Sequence, residues 1–550
     1  MPSIYVQKEE FLREIGRKLS DEEAEQVLFD FGLELDDVFE ENGKIHYKVE
    51  IPANRYDLLC LQGLAHGVSS YMQNRKQKTL NRKTNGEEVL GKRPATRPYI
   101  KLAILKNVDL SNGKYQDLID FQDKLHQGLG LNRTLVAIGT YDYDKTSRPY
   151  TYAAVSESAI KFVPLSQKKE FTRAELAELY KTDPKLKEYV NLNRENGAVP
   201  VLQDAKGTIL SVPPLINGES TKITPETKNL LIDVTGTDIP RINTAMYLLQ
   251  HHFSKEGAEI EEFNTECKET EKETYTVTSE NVKKELGLDI SADVARAYLE
   301  KMMHAVKVVE EGERWSLLVY PSRLRPDVLH LCDLVEDLAI AHGYNNFPKI
   351  SSSSYSVGQE HPFNKRADEI RRECAIVGYT EMYNMALLSK EDYTGFSPKE
   401  HIQVRNPKSS ECEVLRQDLA PSVLKCVSSN QHHQLPIKIF EISDVGKLDK
   451  SDIGVRNEKR MCMCIAGATS GLETLQEAFD VVMKWAGMCV TYKEEDHALF
   501  VKQRACRIYL DGRSVGHLGV VNFQTTAHHN IPLVCSLVEV SLTDLFEIEG

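Results

Sequence analysis

In the stretch Tyr320 to Tyr344, "YPSRLRPDVLHLCDLVEDLAIAHGY", Asp333, Glu336 and Asp337 stand at i, i+3 and i+4. If a helix begins just after Asp327, these three carboxylates share one face, with Leu331, Leu334, Val335 and Leu338 on the opposite side. Carboxylates crowded in this way repel one another unless a cation or an arginine sits among them. Oxygen ligands without Cys or His suit a hard cation, Mg²⁺ before Ca²⁺. A solvated acidic helix face accounts for the same spacing, and the residues alone leave both readings open. Asp327, at the helix start, either caps the helix or reaches the patch.

The same phrase is written earlier. Residues 51–68, "IPANRYDLLCLQGLAHGV", also run from an apolar lead-in through a proline and an Arg-x-Asp into an apolar helix that closes on Ala-His-Gly. Here Gln62, Gly63 and His66 fall where the later copy has its carboxylates, so this copy is expected to pack and to bind no cation. Asp57 is expected to cap a helix whose apolar stripe is Leu58, Leu61, Leu64, Ala65 and Val68.

Other chemistries are excluded by spacing. There is no Gly-rich loop ending in Lys-Ser/Thr and no G-x-G-x-x-G after a strand. The pairs His251-His252, His432-His433 and His528-His529 lack the i, i+4 spacing of a helical zinc site and are expected on the surface. "GATSG" at 467–471 is not a nucleophile elbow.

The elements that must position these residues follow from texture. A chain of 550 residues favours three or four domains at about 100–200 residues each. Residues 1–85 read as a small mixed domain, with a capping box at Ser20 and Glu23. Residues 95–270 alternate strands such as "TLVAIGTYD" and "NLLIDVTGTD" with helices such as "YQDLIDFQDKLHQGLG", an α/β insertion. The acidic stretch at 254–278 is expected to be an exposed hairpin. Residues 275–350 form a helical unit opened by Ser279 and Ser291, and 356–550 an α+β domain around one large antiparallel sheet.

Eleven scattered cysteines, an acidic amino terminus and no run of 18 apolar residues indicate a soluble cytoplasmic protein without a membrane segment. A net charge of −14 argues against a surface built wholly for nucleic acid. A local basic strip remains, Asn74 to Pro98, with Arg75, Lys76, Lys78, Arg82, Lys83, Lys92, Arg93 and Arg97. It is either a solvated linker or a phosphate-contacting surface.

The paired phrase, together with "FQDKLHQGLGLNRTLVAIGTYD", "VPPLINGES", "DVTGTD", "CDLVEDLAIAHGYNN", "IKIFEISDVG" and "VGHLGVVN", resembles the β-subunit family of phenylalanine–tRNA ligase, cytosolic eukaryotic and archaeal type, over nearly the whole chain. The resemblance implies an editing domain of B3/B4 type at 95–270 and a B5-type helical Mg²⁺-binding domain at 275–350. It implies a catalytically inactive core at 356–550 that resembles a class II aminoacyl-tRNA synthetase. The family's metal positions fall on Asp327, Asp333, Glu336 and Asp337. One departure is that Pro321 precedes Arg325 by four residues where the family usually has three.

The resemblance also implies partners and an activity. Phenylalanine and ATP would be taken by a separate α subunit in an α2β2 heterotetramer that charges tRNA(Phe). The strand "IKIFEISDV" accordingly lacks the ATP-binding arginine of class II enzymes. A phenylalanine pocket rejects tyrosine, which only adds a hydroxyl, by about a hundredfold, which calls for a second, hydrolytic sieve. By matching motifs, hydrolysis of Tyr-tRNA(Phe) would involve Gln122, Asp123, Arg133, Asn217, Thr237 and Asp238, with Asp238 or Asp123 accepting the phenol proton and Asn217 and Arg133 holding the ester or the terminal adenosine. Asp123 stands where the family usually has Glu. Read locally, Asp238 is instead a helix cap, Arg133 an ion-pair partner and Asn217-Gly218 a turn. The alternative function is a non-catalytic RNA-binding or assembly protein that keeps these folds.

Overall fold

The computed structural model describes residues 2–547 except 74–77, 79, 195, 269–272, 311–313, 352–353, 355, 394–395 and 397–399. Arg75 and Lys76 of the basic strip lie outside the described residues. The chain forms two compact units, Met1–Ile350 and Ser351–Gly550.

The first unit opens with an antiparallel sheet in the order Ser3–Gln7, Lys44–Glu50, Glu34–Glu41. The helix Asp21–Phe31 starts at the expected capping box, in which Ser20 and Glu23 satisfy each other's backbone N–H. The following domain is built on a five-stranded sheet ordered Asn81–Glu88, Glu259–Asn264, Tyr99–Leu105, Leu230–Gly236, Val136–Asp142. Its strand Leu230–Gly236 is buried throughout because it pairs on both sides, with Asp233 opposite Leu102 on one and Gly139 on the other. A second sheet holds Ile216–Asn217, Ile209–Val212, Ala198–Gln203 and Thr151–Ser156.

Three expectations change here. The acidic stretch is not a hairpin: Glu259–Asn264 lies inside the large sheet, parallel to Asn81–Glu88 and antiparallel to Tyr99–Leu105. The described part of the basic strip is not a loose linker, and its cations range from buried Arg97 to exposed Lys83 and Lys92. Asn81–Glu88 is a strand, and Arg97 is fully buried, donating to Thr235 and to the carbonyls of Arg133 and Thr134. His251 and His252 are buried rather than on the surface, since the helix Ile239–Phe253 turns its last residues into the core, and His529 is buried too.

The two copies of the phrase fold alike. Each helix starts four residues after its aspartate, Leu61–Gln73 after Asp57 and Leu331–His342 after Asp327. Neither aspartate caps its helix. Arg55 instead grips Asp57 with two hydrogen bonds of 2.9 and 2.8 Å, and Arg325 grips Asp327 with bonds of 2.7 to 3.1 Å. The pairs act on each other's charges, Asp57 on Arg325 and Arg55 on Asp327. The repeat thus supplies two interacting ion pairs to one buried junction. Thr278, rather than Ser279, caps the first helix of this region, and Ser291 caps the second as expected.

The second unit is dominated by a seven-stranded sheet ordered Thr380–Glu381, Ile437–Leu448, Val455–Gly467, Val534–Ser541, Arg513–Val521, Phe500–Leu510, Thr491–Glu494. It is antiparallel except at the edge pair Thr380–Glu381 with Ile437–Leu448.

Candidate functional site

A cavity of ≈ 530 Å³ is framed by the helix Lys114–Gln127, the strands Val136–Asp142 and Leu230–Gly236, and the turn around Pro213 to Gly218. That is within the common range for small-ligand sites, about 300–1,000 Å³. At its base the Tyr141 hydroxyl donates to Asp233 Oδ1 at 2.5 Å. Burial pushes the Asp233 carboxyl up to about 6, although the Tyr141 hydrogen bond and Arg97 pull it down. Ser211 Oγ is buried and interacts with the Tyr141 hydroxyl without a well-formed hydrogen bond. A buried polar oxygen so weakly paired is costly, and it fits a ligand that brings its own donor or acceptor. Gly139 faces Asp233 across the sheet, and a Cβ there would collide with Asp233 Oδ1 and the Tyr141 hydroxyl.

The helix wall comes next. Gln122 donates to Ile138 O at 2.8 Å and accepts from Thr140 Oγ1 at 3.2 Å, so its amide ties the helix to the strand. One turn on, His126 Nε2 accepts the Ile138 N–H at 2.8 Å, which leaves the ring proton on Nδ1. Burial pushes His126 down to about 4, so the ring is neutral. Its Nδ1 lies 4.0 Å from Asp123 Oδ1, and Arg133 Nη2 lies 3.8 Å from the same oxygen. His126 first, and then Arg133, holds the Asp123 carboxyl below the usual range.

Arg133 ends a run of three non-glycine residues in left-handed backbone, Leu131, Asn132 and Arg133, with φ of 45, 50 and 62°. Such a run persists only when its surroundings over-determine it. The buried Arg97 does so by binding the carbonyls of Arg133 and Thr134 together with Thr235.

Four of the six residues assigned to editing therefore line this cavity: Gln122, Asp123, Arg133 and Asn217. Thr237 and Asp238 are not among its lining residues. Asp238 caps the helix Ile239–Phe253, accepting from Arg241 N at 3.0 Å, while the Thr237 N–H goes to Leu135 O. Asp233 and Thr235, earlier on the same strand, line the cavity in their place. The sequence held a signal for them: in "LLIDVTG" the polar residues recur at period two, as strand residues sharing one face do. His126 was visible only as the residue four after Gln122.

The carboxylates of the second phrase do not converge on one point. Asp327 and Asp337 share Arg325, whose Nη2 lies 2.7 and 2.9 Å from them, and Asp337 also meets His304 Nε2 at 2.7 Å. Burial alone would raise the Asp337 carboxyl, but Arg325 and His304 hold it at about 2. Asp333 closes the helix start by accepting the N–H groups of Leu329 and His330 at 2.8 Å. Glu336 is exposed, its carboxyl pushed up by partial desolvation and by Asp337 and Asp333. Among the described residues no three His, Cys, Asp or Glu side chains gather to hold a metal ion. Arg325 takes the place the sequence offered to a cation, so the four residues as arranged do not fit a four-carboxylate Mg²⁺ site.

In the second unit Arg416 pairs with Glu441 and Arg460 with Glu539, at 2.7 and 2.8 Å. Glu539 also accepts the N–H groups of Leu419 and Ala420. The cavity beside them, lined in part by Asp418, Arg460, His517 and Glu539, measures only ≈ 50 Å³.

Comparison with known families gives these regions a common setting. Residues 1–74 match the Phe-tRNA synthetase beta subunit B1 domain, 105–278 the B3/4 domain, 275–344 the tRNA synthetase B5 domain, and 347–542 the phenylalanyl tRNA synthetase beta chain CLM domain. That series defines a subunit of an aminoacyl-tRNA ligase. The chain is 37% identical over its whole length to a probable phenylalanine–tRNA ligase beta subunit of Encephalitozoon cuniculi, covering 99% of it. It is 32% identical over 98% of its length to the Homo sapiens phenylalanine–tRNA ligase beta subunit, again covering 99% of that protein. The N-terminal fragment of the Pyrococcus horikoshii phenylalanyl-tRNA synthetase beta subunit superposes with a TM-score of 0.54 at 32% identity, covering 62% of this chain and 99% of the fragment. The chain belongs to the phenylalanine–tRNA ligase β-subunit family. Among the described residues no helix is long and apolar enough to cross a membrane.

Proposed function

We propose that the chain works with an α subunit, in an α2β2 assembly in the cytoplasm, to charge tRNA(Phe), and that its own chemistry is removal of tyrosine from Tyr-tRNA(Phe). The observation that carries the hydrolytic reading is the base of the ≈ 530 Å³ cavity, where the lining residues Asp233 and Ser211 offer polar atoms to a hydroxyl, with Tyr141 bonded to Asp233 behind them. A phenylalanyl ester brings no hydroxyl to Asp233 or Ser211, whereas tyrosine pairs with them. This is the kind of polar discrimination that can exceed what an apolar pocket achieves. Asp233 replaces Asp238 and Asp123 as acceptor for the phenol. Gln122 braces the wall, Arg133 and Asn217 stand at the cavity for the ester or terminal adenosine, and the ribose hydroxyl of the tRNA helps orient water.

Activation with ATP belongs to the α subunit. The ≈ 50 Å³ cavity of the second unit, with its arginine and carboxylates paired to one another, is far smaller than a nucleotide needs, which supports a class II-like core without activation chemistry.

Mg²⁺ stays a proposal for the Asp327, Asp333, Glu336 and Asp337 region. It is supported only by the negative charge of Asp337 and Asp333, which adds to desolvation in raising the Glu336 carboxyl, and the Arg325 pairing counts against it.

The deciding experiment adds Tyr-tRNA(Phe) to the αβ complex. Clearance of tyrosine with Phe-tRNA(Phe) spared is expected. A complex that charges phenylalanine yet never clears tyrosine would favour an assembly or RNA-binding role instead. Elemental analysis of the same complex, with Glu336→Gln beside it, tests the metal.

A further inference from the structure

The cavity binds an ester with two distinct ends, and the hydrolytic reading, on which this inference rests, accounts only for the phenol. The other end of every aminoacyl ester carries an α-ammonium group, and a carboxylate at the cavity is the natural partner for that cation. Three carboxylates line the cavity: Asp123, Asp183 and Asp233. Asp233 is fully buried at the base and accepts from Tyr141. Asp183 Oδ1 is spent on the N–H groups of Lys185 and Leu186, at 2.8 and 2.9 Å. Asp123 differs from both. Its side chain is 52% exposed, and its two neighbours, His126 Nδ1 and Arg133 Nη2, face Oδ1 from 4.0 and 3.8 Å, outside hydrogen-bond range. Lys185, which also lines the cavity, adds a weaker attraction to the Asp123 carboxylate.

His126 is 5% exposed, and its Nδ1 has no hydrogen-bond partner. With Nε2 committed to the Ile138 N–H, the ring presents Nδ1–H to Asp123 and to nothing else bonded. The Arg133 guanidinium is steadied 5.4 Å from the Tyr189 ring centroid. Imidazole and guanidinium thus flank one oxygen of a charged carboxylate that lines the cavity and is half exposed.

We infer that Asp123 binds the α-ammonium group of the aminoacyl ester, with His126 and Arg133 as positioning residues. The site is then specific for esters with a free amino group, and Asp123 reads the amino acid backbone while Asp233 reads the ring. The Asp that stands here shortens the reach by one methylene relative to Glu, drawing the ammonium closer to the Lys114–Gln127 helix.

The test compares hydrolysis of Tyr-tRNA(Phe) with that of the α-hydroxy ester, 3-(4-hydroxyphenyl)lactyl-tRNA(Phe), each corrected for its uncatalysed rate, by the intact αβ complex. The unaltered complex should prefer the amino ester by about tenfold or more, the worth of one charge-assisted contact. Asp123→Asn should lose that preference by slowing only the amino ester, Asp123→Glu should restore it, and both should charge phenylalanine normally. Equal slowing of both esters by Asp123→Asn, or slowing of neither, overturns the assignment while the hydrolytic reading stands. Failure of the unaltered complex to hydrolyse either ester overturns the hydrolytic reading and this assignment together.

Discussion

Replacing Asp233 by asparagine separates what the base of the cavity does for recognition from what it costs in stability. The carboxyl is fully buried and sits at about 6, against 3.8 in an unstructured chain. It therefore binds its proton more tightly when folded. Its contribution to stability is fully present below about pH 4, falls as pH rises, and is gone above about pH 6. The difference of 2.2, from 3.8 to 6, corresponds to about 3 kcal/mol of strain carried at neutral pH. Asparagine keeps an oxygen that accepts from Tyr141 but never ionises, so Asp233→Asn should stabilise this domain at pH 7 by up to about 3 kcal/mol.

The same change removes the charged acceptor for the tyrosine hydroxyl, and clearance of Tyr-tRNA(Phe) should fall by about ten- to a hundredfold. Hydrogen exchange at the amides of Leu230–Gly236, corrected for intrinsic rates and followed from pH 4 to pH 7, reads the stability arm, and ester hydrolysis reads the other. The reasoning is refuted if the variant loses protection at pH 7, if it keeps the pH slope of the unaltered chain, or if it clears tyrosine at the original rate.

Two further outcomes follow from the same geometry. Arg97→Met strips donors from Thr235 and from the Arg133 and Thr134 carbonyls, and should cost about 1–3 kcal/mol for each buried acceptor left unpaired while releasing the left-handed run at 131–133. Urea unfolding and enhanced proteolysis at that loop would show it. Arg325→Met leaves Asp327 and Asp337 buried with their shared cation gone and should destabilise the first unit by about 3–5 kcal/mol. If excess Mg²⁺ restored the variant's melting temperature to that of the unaltered chain, the ion would be shown to substitute for the arginine.

Much of the architecture was legible because it rests on local rules. Residue spacing marks helices such as Asp21–Phe31 and Leu331–His342, alternation marks Leu230–Gly236, and the capping box at Ser20 and Glu23 needs only neighbouring residues. The repeated Arg-x-Asp could be seen, but its purpose could not. Asp57 was expected to cap its helix and Asp327 either to cap or to reach the acidic patch, whereas Arg55–Asp57 and Arg325–Asp327 form ion pairs that meet across the fold. Spacing also brought Asp333, Glu336 and Asp337 to neighbouring helix positions without revealing Arg325 and His304, which reach Asp337 from other segments.

The sequence by itself determined the elements, the family and the helix that carries Gln122 and Asp123. Tertiary structure decided which carboxylates are available. Asp337 was drawn to a guanidinium, while Asp233 was carried to the base of a cavity opposite a glycine with no room for a Cβ. The physical reason is that a carboxylate's chemistry depends on its partners and its burial, and both are set by residues distant in the chain: Arg97, Tyr141 and Gly139 for Asp233, and His304 and Arg325 for Asp337.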